Sequence, residues 1–482
     1  MIIHRLALTA AITTAAALTA CAPAPADDPR MVSEWMHTLY GVIRTERLSP
    51  PIASRLMAYA SVALYQGLAA ADARLPSAAG MLNGLSVLPA PVEGERYDGT
   101  LTAVEAERVL LDSLLAEALP GTRATLDGLV DSLRETRRAL GVPEAVQARS
   151  ETLGRRIGMA VVAWSRADGF DSTRGRPYAP PVGPGFWLND TPASNYAAQN
   201  LSAATDFVGL DNPANNTRGG GASDRGLIVN RPKRTGLQAL PPVNMAGATE
   251  PYWGWVRPFV LRTWNECPIA DPPPYSVDTS SVRYREAKQV YDIRKTITPE
   301  QSRIALYWAD NAGETGTPSG HWVAIASQMV GRLKLSAADA ARLFVLTAVA
   351  QADAFIASWG YKYQFNTIRP RTYIRRLIDP DWEPLIPTPP FPEYPAGHAT
   401  QSAAAAAAII AMLGDLSFED STGIAIGAGV GRFQSFSEAA AQAGESRIFG
   451  GIHFESGNAA GRSIGDCIGR KTAERLGVVP KG

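Results

Sequence analysis

The sequence predicts an all-α protein of two helical bundles joined by a long irregular segment. Apolar residues recur at helical spacing through residues 30–170, and the same patterning returns at Thr298 and continues almost to the end. No run alternates apolar and polar residues as a half-buried strand would, and no internal repeat stands out. The composition, 46% hydrophobic and 19% charged, is that of a folded chain. Lys+Arg and Asp+Glu each total 46, so the formal net charge is zero and no general basic surface for nucleic acid is present. An anion site therefore has to be built locally from a few converging cations.

Residues 1–20 read as a signal segment: the basic start Met1 to Arg5, then an apolar run from Leu6 to Ala20 too short to span a bilayer comfortably. The ending Leu18-Thr19-Ala20-Cys21 resembles a bacterial lipoprotein box, which implies a lipidated Cys21, a short linker over 21–29 and membrane anchoring. The expected location is the cell envelope, on the periplasmic side or at the outer membrane. Residues 30–170 form the first predicted bundle. Trp35, Leu39, Val42 and Ile43 share one helical face, and Leu56, Ala60, Ala63 and Leu64 another, separated by Pro50-Pro51. Three further amphipathic segments follow, punctuated at Pro120-Gly121 and Gly141-Val142-Pro143.

Residues 171–295 are read as irregular, because periodicity fades while Pro, Gly, Asn and Trp accumulate around Pro180 to Gly185, Gly219 to Gly221 and Pro272 to Pro274. Trp187, Trp253, Trp255 and Trp264 argue for a packed covering layer. Residues 296–482 form the second predicted bundle, with the Ala-rich run Ala403 to Leu413 as a buried helix. Cys267 and Cys467 are either paired, as an exported protein permits, or two buried thiols.

The chemistry gathers in the last third. Lys362 precedes Arg369-Pro370 in a K-x6-R-P pattern, two helical turns apart, so that on one helix both could reach the same side. Pro395-Ala396-Gly397-His398 follows, then Ser446-Arg447 and His453. Arg369 offers a planar fork for a tetrahedral oxyanion and Lys362 a compact charge. Gly397 lets the backbone N–H approach an anion, and His398 heads a helix whose N-terminus also favours one. Arg447 and His453 add a third cation and a second imidazole.

In this order the motifs resemble those of the superfamily that unites type 2 phosphatidic acid phosphatases, bacterial acid phosphatases and vanadium-dependent haloperoxidases. Arg55 to Ala60, Phe186-Trp187, Trp308 to Asp310 and His321-Trp322 are similar to the secreted haloperoxidase branch, so the likeness covers nearly all of the mature chain. That resemblance implies two helical bundles with the site in the C-terminal one. It implies vanadate as cofactor, bonded through His453 and held by Lys362, Arg369, Arg447 and the Gly397 amide, with His398 as the acid–base group. Hydrogen peroxide, a halide and a small organic molecule would be the reactants. Trp359 and Phe391 match aromatic positions beside the halide path, although a plain core role suits them equally. In a phosphatase version, phosphate would replace vanadate and His453 would be the nucleophile. A non-catalytic oxyanion-binding envelope protein is the third possibility, kept open by two departures. Ala396 stands where the family has Ser, and Gly457 where many relatives have an Asp that orients the histidine. Glu455 and Asn458 are the candidate substitutes. Pro318-Ser319-Gly320-His321 matches the serine-containing motif but precedes Lys362, so 395–398 is taken as the true element and His321 as a helix-start residue that could still line the site.

Overall fold

The computed structural model describes residues 26–174, 176–189 and 248–478; the signal segment, Cys21 and the glycine run at 219–221 lie outside them. Proline and short polar side chains start the first helices where the sequence puts them. Asp28 caps α1 (Pro29–Glu46) and Ser49 caps α2 (Pro50–Ala69), each followed by a proline in the first turn. There the fixed φ suits the helix and the missing N–H would have had no intrahelical acceptor. The rest of the N-terminal bundle is α3 (Gly99–Leu114), α4 (Pro120–Ala139) and α5 (Glu144–Arg166). Buried Glu46 joins the end of α1 to the start of α4, accepting from Leu119 N at 2.8 Å and Thr122 Oγ1 at 2.6 Å.

The middle segment is irregular only in part. Val282–Thr296 forms a helix, α6, where the sequence predicts none. Its buried face holds only Arg283, Glu286, Ala287 and Val290, so charged residues dilute the apolar periodicity. Ser281 caps it, accepting from Tyr284 N at 3.2 Å. Among the described residues of this segment, the part outside α6 forms a packed layer, as its tryptophans suggest: Trp187 and Trp253 are buried, although Trp255 is exposed. The Asp353 carboxylate holds this layer down by accepting from the N–H groups of Phe259, Val260 and Leu261 at 2.6, 2.8 and 2.9 Å.

The C-terminal bundle comprises α7 (Pro299–Tyr307), α8 (Thr317–Leu333), α9 (Ala337–Phe365), α10 (Pro370–Leu377) and α11 (Gly397–Leu413). A short antiparallel pair, β1 (Phe418–Asp420) with β2 (Gly431–Phe433), precedes α12 (Phe436–Phe449) and α13 (Glu455–Arg475). Helix α9 is long and apolar enough to cross a membrane, yet 94% of its apolar window is buried inside the protein. It packs on α2, and one hydrophobic core runs through both bundles. The alanines of α11 accept a glycine stripe on α13. A Cβ at Gly461 or Gly465 would lie 2.7 Å from Ala396 O or 2.2 Å from Thr400 O, so only glycine allows this approach. Cys267 and Cys467 are joined as a disulfide, which ties the middle layer to α13.

Candidate active site

The predicted residues lie at helix ends, where backbone groups are free to face a ligand. Lys362 is in the last turn of α9, Arg369 caps α10, Gly397 and His398 open α11, Arg447 is in the last turn of α12, and His453 lies just before α13. One expectation is corrected: Lys362 and Arg369 do not share a helix. Asn366 takes a left-handed conformation (φ 49°) and ends α9, and Pro370 disfavours helical geometry at Arg369. The returning chain is pinned by the predicted Phe186-Trp187 segment. Phe186 bridges to Thr367, Trp187 N donates to Asn366 O at 2.7 Å, and Ile368 N donates to Gly185 O at 3.0 Å.

Arg369 is fully buried and donates through Nε to Phe391 O and through Nη1 to Ile452 O, both at 2.8 Å. The same Nη1 lies 3.1 Å from His453 Nε2. A guanidinium can only donate, so Nε2 presents its lone pair and the ring proton sits on Nδ1. That nitrogen is 2.8 Å from Glu393 Oε1. Neither Glu455 nor Asn458 supplies the carboxylate: Glu455 pairs with Arg462, and the Asn458 side chain lies against Gly444. Glu393, five residues before His398, is the site residue that sequence reasoning missed.

Lys362 also differs from expectation. Its Nζ donates to Pro392 O at 3.0 Å, to Glu393 O at 2.9 Å and to Pro395 O. All three N–H groups are thus occupied by the loop that leads to Gly397, and Lys362 reaches the pocket as a charge instead of a hydrogen-bond donor. Burial and the neighbouring Arg369 push its pKa down, while three carbonyl acceptors can be satisfied only by the ammonium form. Arg447 donates through Nη1 to Trp308 O at 2.7 Å, and burial lowers its pKa to about 10 against the opposing pull of Asp310. His398 bonds the backbone of Trp308, leaving Nε2 buried and without a hydrogen-bond partner, as is Arg447 Nε. Burial, then Arg447, His321 and Lys362, hold the His398 pKa well below the usual histidine range. Burial followed by Arg369, Lys362, Arg447 and His398 does the same to His453. Both imidazoles are therefore neutral at pH 7.

The wall beside these groups is aromatic. The Trp359 and Phe391 rings are 4.8 Å apart, and Phe391 lies 5.2 Å from Lys362 Nζ and 4.9 Å from Arg369 Cζ. Trp359 Nε1 donates to Thr249 O at 3.1 Å, which ties the covering layer to α9. A Cβ at Gly397 would lie 3.4 Å from Trp359, and as the first residue of α11 its N–H has no acceptor within the helix. Ala396 is the N-cap of α11 and makes no side-chain cap. The second glycine–histidine motif forms a separate buried cluster: His321 lies between Asp310 (Nδ1 to Oδ1, 2.9 Å) and Asp420 (Nε2 to Oδ2, 2.7 Å). Its ring stacks 4.5 Å from Trp308, whose carbonyl accepts from Arg447.

The donor set suits a tetrahedral oxyanion that also accepts a nitrogen ligand. Two guanidiniums and an ammonium supply charge, an imidazole lone pair is oriented among them, and orphaned polar atoms of His398 and Arg447 are buried beside it.

Residues 342–480, which contain all of these motifs, match the family described as the VCPO second helical-bundle domain. The fold is similar to the crystal structure of the first bacterial vanadium-dependent iodoperoxidase, with a TM-score of 0.76 and 28% identity over 95% of this chain and 99% of that one. It is also similar to the apo-type bacterial vanadium-dependent chloroperoxidase, with a TM-score of 0.62 and 16% identity over 89% of this chain and 94% of that one. The holo-type bacterial chloroperoxidase gives a TM-score of 0.58 and 16% identity over 94% and 93%. At 16% identity the likeness is one of fold. No curated protein matches the sequence.

Proposed function

We propose that this chain, with residues 342–480 matching the VCPO second helical-bundle domain and a fold similar to a bacterial vanadium-dependent iodoperoxidase, is a haloperoxidase that uses hydrogen peroxide to oxidise halide at a vanadate bound through His453. One juxtaposition carries this: the His453 Nε2 lone pair is aimed by Glu393 on one side and surrounded by Arg369, Lys362 and Arg447 on the other. Bound vanadate supplies activation of peroxide toward attack by halide.

The protein's own groups do the rest. Arg369 and Arg447 donate to anionic oxygens, and the Gly397 N–H adds a backbone donor. Lys362 adds positive charge in a site from which burial removes screening water. His398, neutral because its pKa is depressed, takes a proton at its unpartnered Nε2 and returns it later. Trp359 and Phe391 give the halide and the organic substrate a dry aromatic wall. With Cys21 lipidated, the enzyme would work at the cell envelope. Asp27 accepts from Thr100 N at 2.9 Å, so the chain is fixed to the folded body six positions after Cys21 and its reach is about 20 Å.

The test is halogenation of a dye by the purified protein with peroxide and chloride, bromide or iodide, with and without orthovanadate. Vanadate-dependent halogenation that disappears in His453→Ala is expected. Hydrolysis of a phosphomonoester without halogenation would overturn the proposal in favour of a phosphatase.

A further inference from the structure

We infer that Glu393 is the positioning carboxylate of His453, and that its arrival from the loop before α11 is what requires glycine at 457. The inference rests on the proposed role of His453, and four observations support it. Glu393 Oε1 lies 2.8 Å from His453 Nδ1 and accepts from Phe454 N at 3.1 Å, so one oxygen fixes both the ring and its backbone. Glu393 is wholly inaccessible to solvent, and its own backbone is fastened at both ends: its N donates to Thr367 O at 3.1 Å and its O accepts from Lys362 Nζ at 2.9 Å.

The opposite ring nitrogen is 3.1 Å from Arg369 Nη1, a group that can only donate. The single ring proton is thereby placed on Nδ1 from both sides, and Nε2 is kept unprotonated, as a ligand nitrogen must be. Finally, a Cβ at Gly457 would lie 2.2 Å from Glu393 Oε1. A carboxylate brought from the first turn of α13 and one brought from the loop before α11 cannot both occupy this space. The protein has the second arrangement, and the Gly457 carbonyl instead accepts from Ala396 N at 2.8 Å. The consequence reaches beyond one contact. The segment 392–396 fills the donors of Lys362, orients His453 and leads directly into His398, so one loop sets both histidines.

The test combines two readouts. In histidine-labelled protein without vanadate, nitrogen NMR should report the His453 ring as the Nδ1–H tautomer. Glu393→Ala should shift it towards a mixture of tautomers, and Glu393→Gln, whose side-chain oxygen still accepts, should shift it less. In orthovanadate titrations followed by vanadium NMR, Glu393→Ala should weaken binding about 10- to 100-fold, as loss of an outer-sphere partner does. Gly457→Asp in the Glu393→Ala background should recover most of that loss, whereas Gly457→Asp alone should lower the melting temperature. Unchanged His453 nitrogen shifts and unchanged vanadate affinity in both Glu393→Ala and Glu393→Gln would overturn the inference. Failure of the wild-type protein to bind orthovanadate would instead overturn the proposed function, while the tautomer measurement would still judge Glu393.

Discussion

Replacing His321 by glutamine tests the electrostatics of its separate buried cluster. The imidazole is 3% exposed and lies 2.9 and 2.7 Å from the carboxylates of Asp310 and Asp420. Burial alone would push its pKa down, but the two carboxylates overcome this and hold it at about 10, against an ordinary 6.5. His321 in turn holds the Asp420 carboxyl below its usual range, although burial opposes it. A folded-state pKa above the unfolded value means stabilisation that is fully present below pH 6.5 and lost as pH rises towards 10. The shift corresponds to about 5 kcal/mol at most, and removing one member of a buried ion cluster typically costs about 3–5 kcal/mol. Glutamine leaves two buried carboxylates facing each other across a neutral amide. Urea unfolding followed by tryptophan fluorescence should therefore show the variant less stable by about 3–5 kcal/mol at pH 6. That gap should narrow by about 1.4 kcal/mol per pH unit above 6.5 and nearly close by pH 10. A difference below about 1 kcal/mol at pH 6, or one that does not change with pH, would refute a doubly clamped imidazolium.

Other outcomes follow from the same geometry. Reducing the Cys267–Cys467 bond, or replacing both cysteines by alanine, should cost about 2–5 kcal/mol in denaturant unfolding, because the bond closes a loop with a sequence separation of 200. Ala396→Ser should stabilise the protein by about 0.5–2 kcal/mol in the same assay, since it supplies the missing side-chain cap to α11. Asp353→Ala should strip the acceptor from three backbone N–H groups at about 1–3 kcal/mol each, and faster hydrogen exchange at residues 259–261 would report the loosened layer.

Much of this was legible in the sequence because the chemistry is written in short, ordered motifs at helix ends. Lys362, Arg369, Gly397, His398, Arg447 and His453 are separated by punctuation that itself predicts helix boundaries, such as Pro370 and Gly397. Glu393 was not legible. It sits in a proline-rich loop, sixty residues from the nitrogen it holds, and spacing after His453 directs attention to 455–458. The glycine at 457 was the available signal: an unexpected lack of side chain marks space filled from elsewhere. The occupied donors of Lys362 could not be read either, because they depend on where the carbonyls of 392–395 point. Helix α6 was hidden by its own charge, with two of its four buried residues ionic. His321 shows the opposite failure, since a perfect short motif marks a buried ion cluster and motif order alone separates it from the pocket.

The most direct test of the central claim is a stoichiometric titration of vanadate-free protein with orthovanadate, following halide oxidation by peroxide at each addition. Activity should rise in proportion and level off at one vanadate per chain, with His453→Ala inactive at any vanadate concentration. A wild-type protein that stays inactive at saturating vanadate, or a His453→Ala variant with the same activity as wild type, would contradict the account.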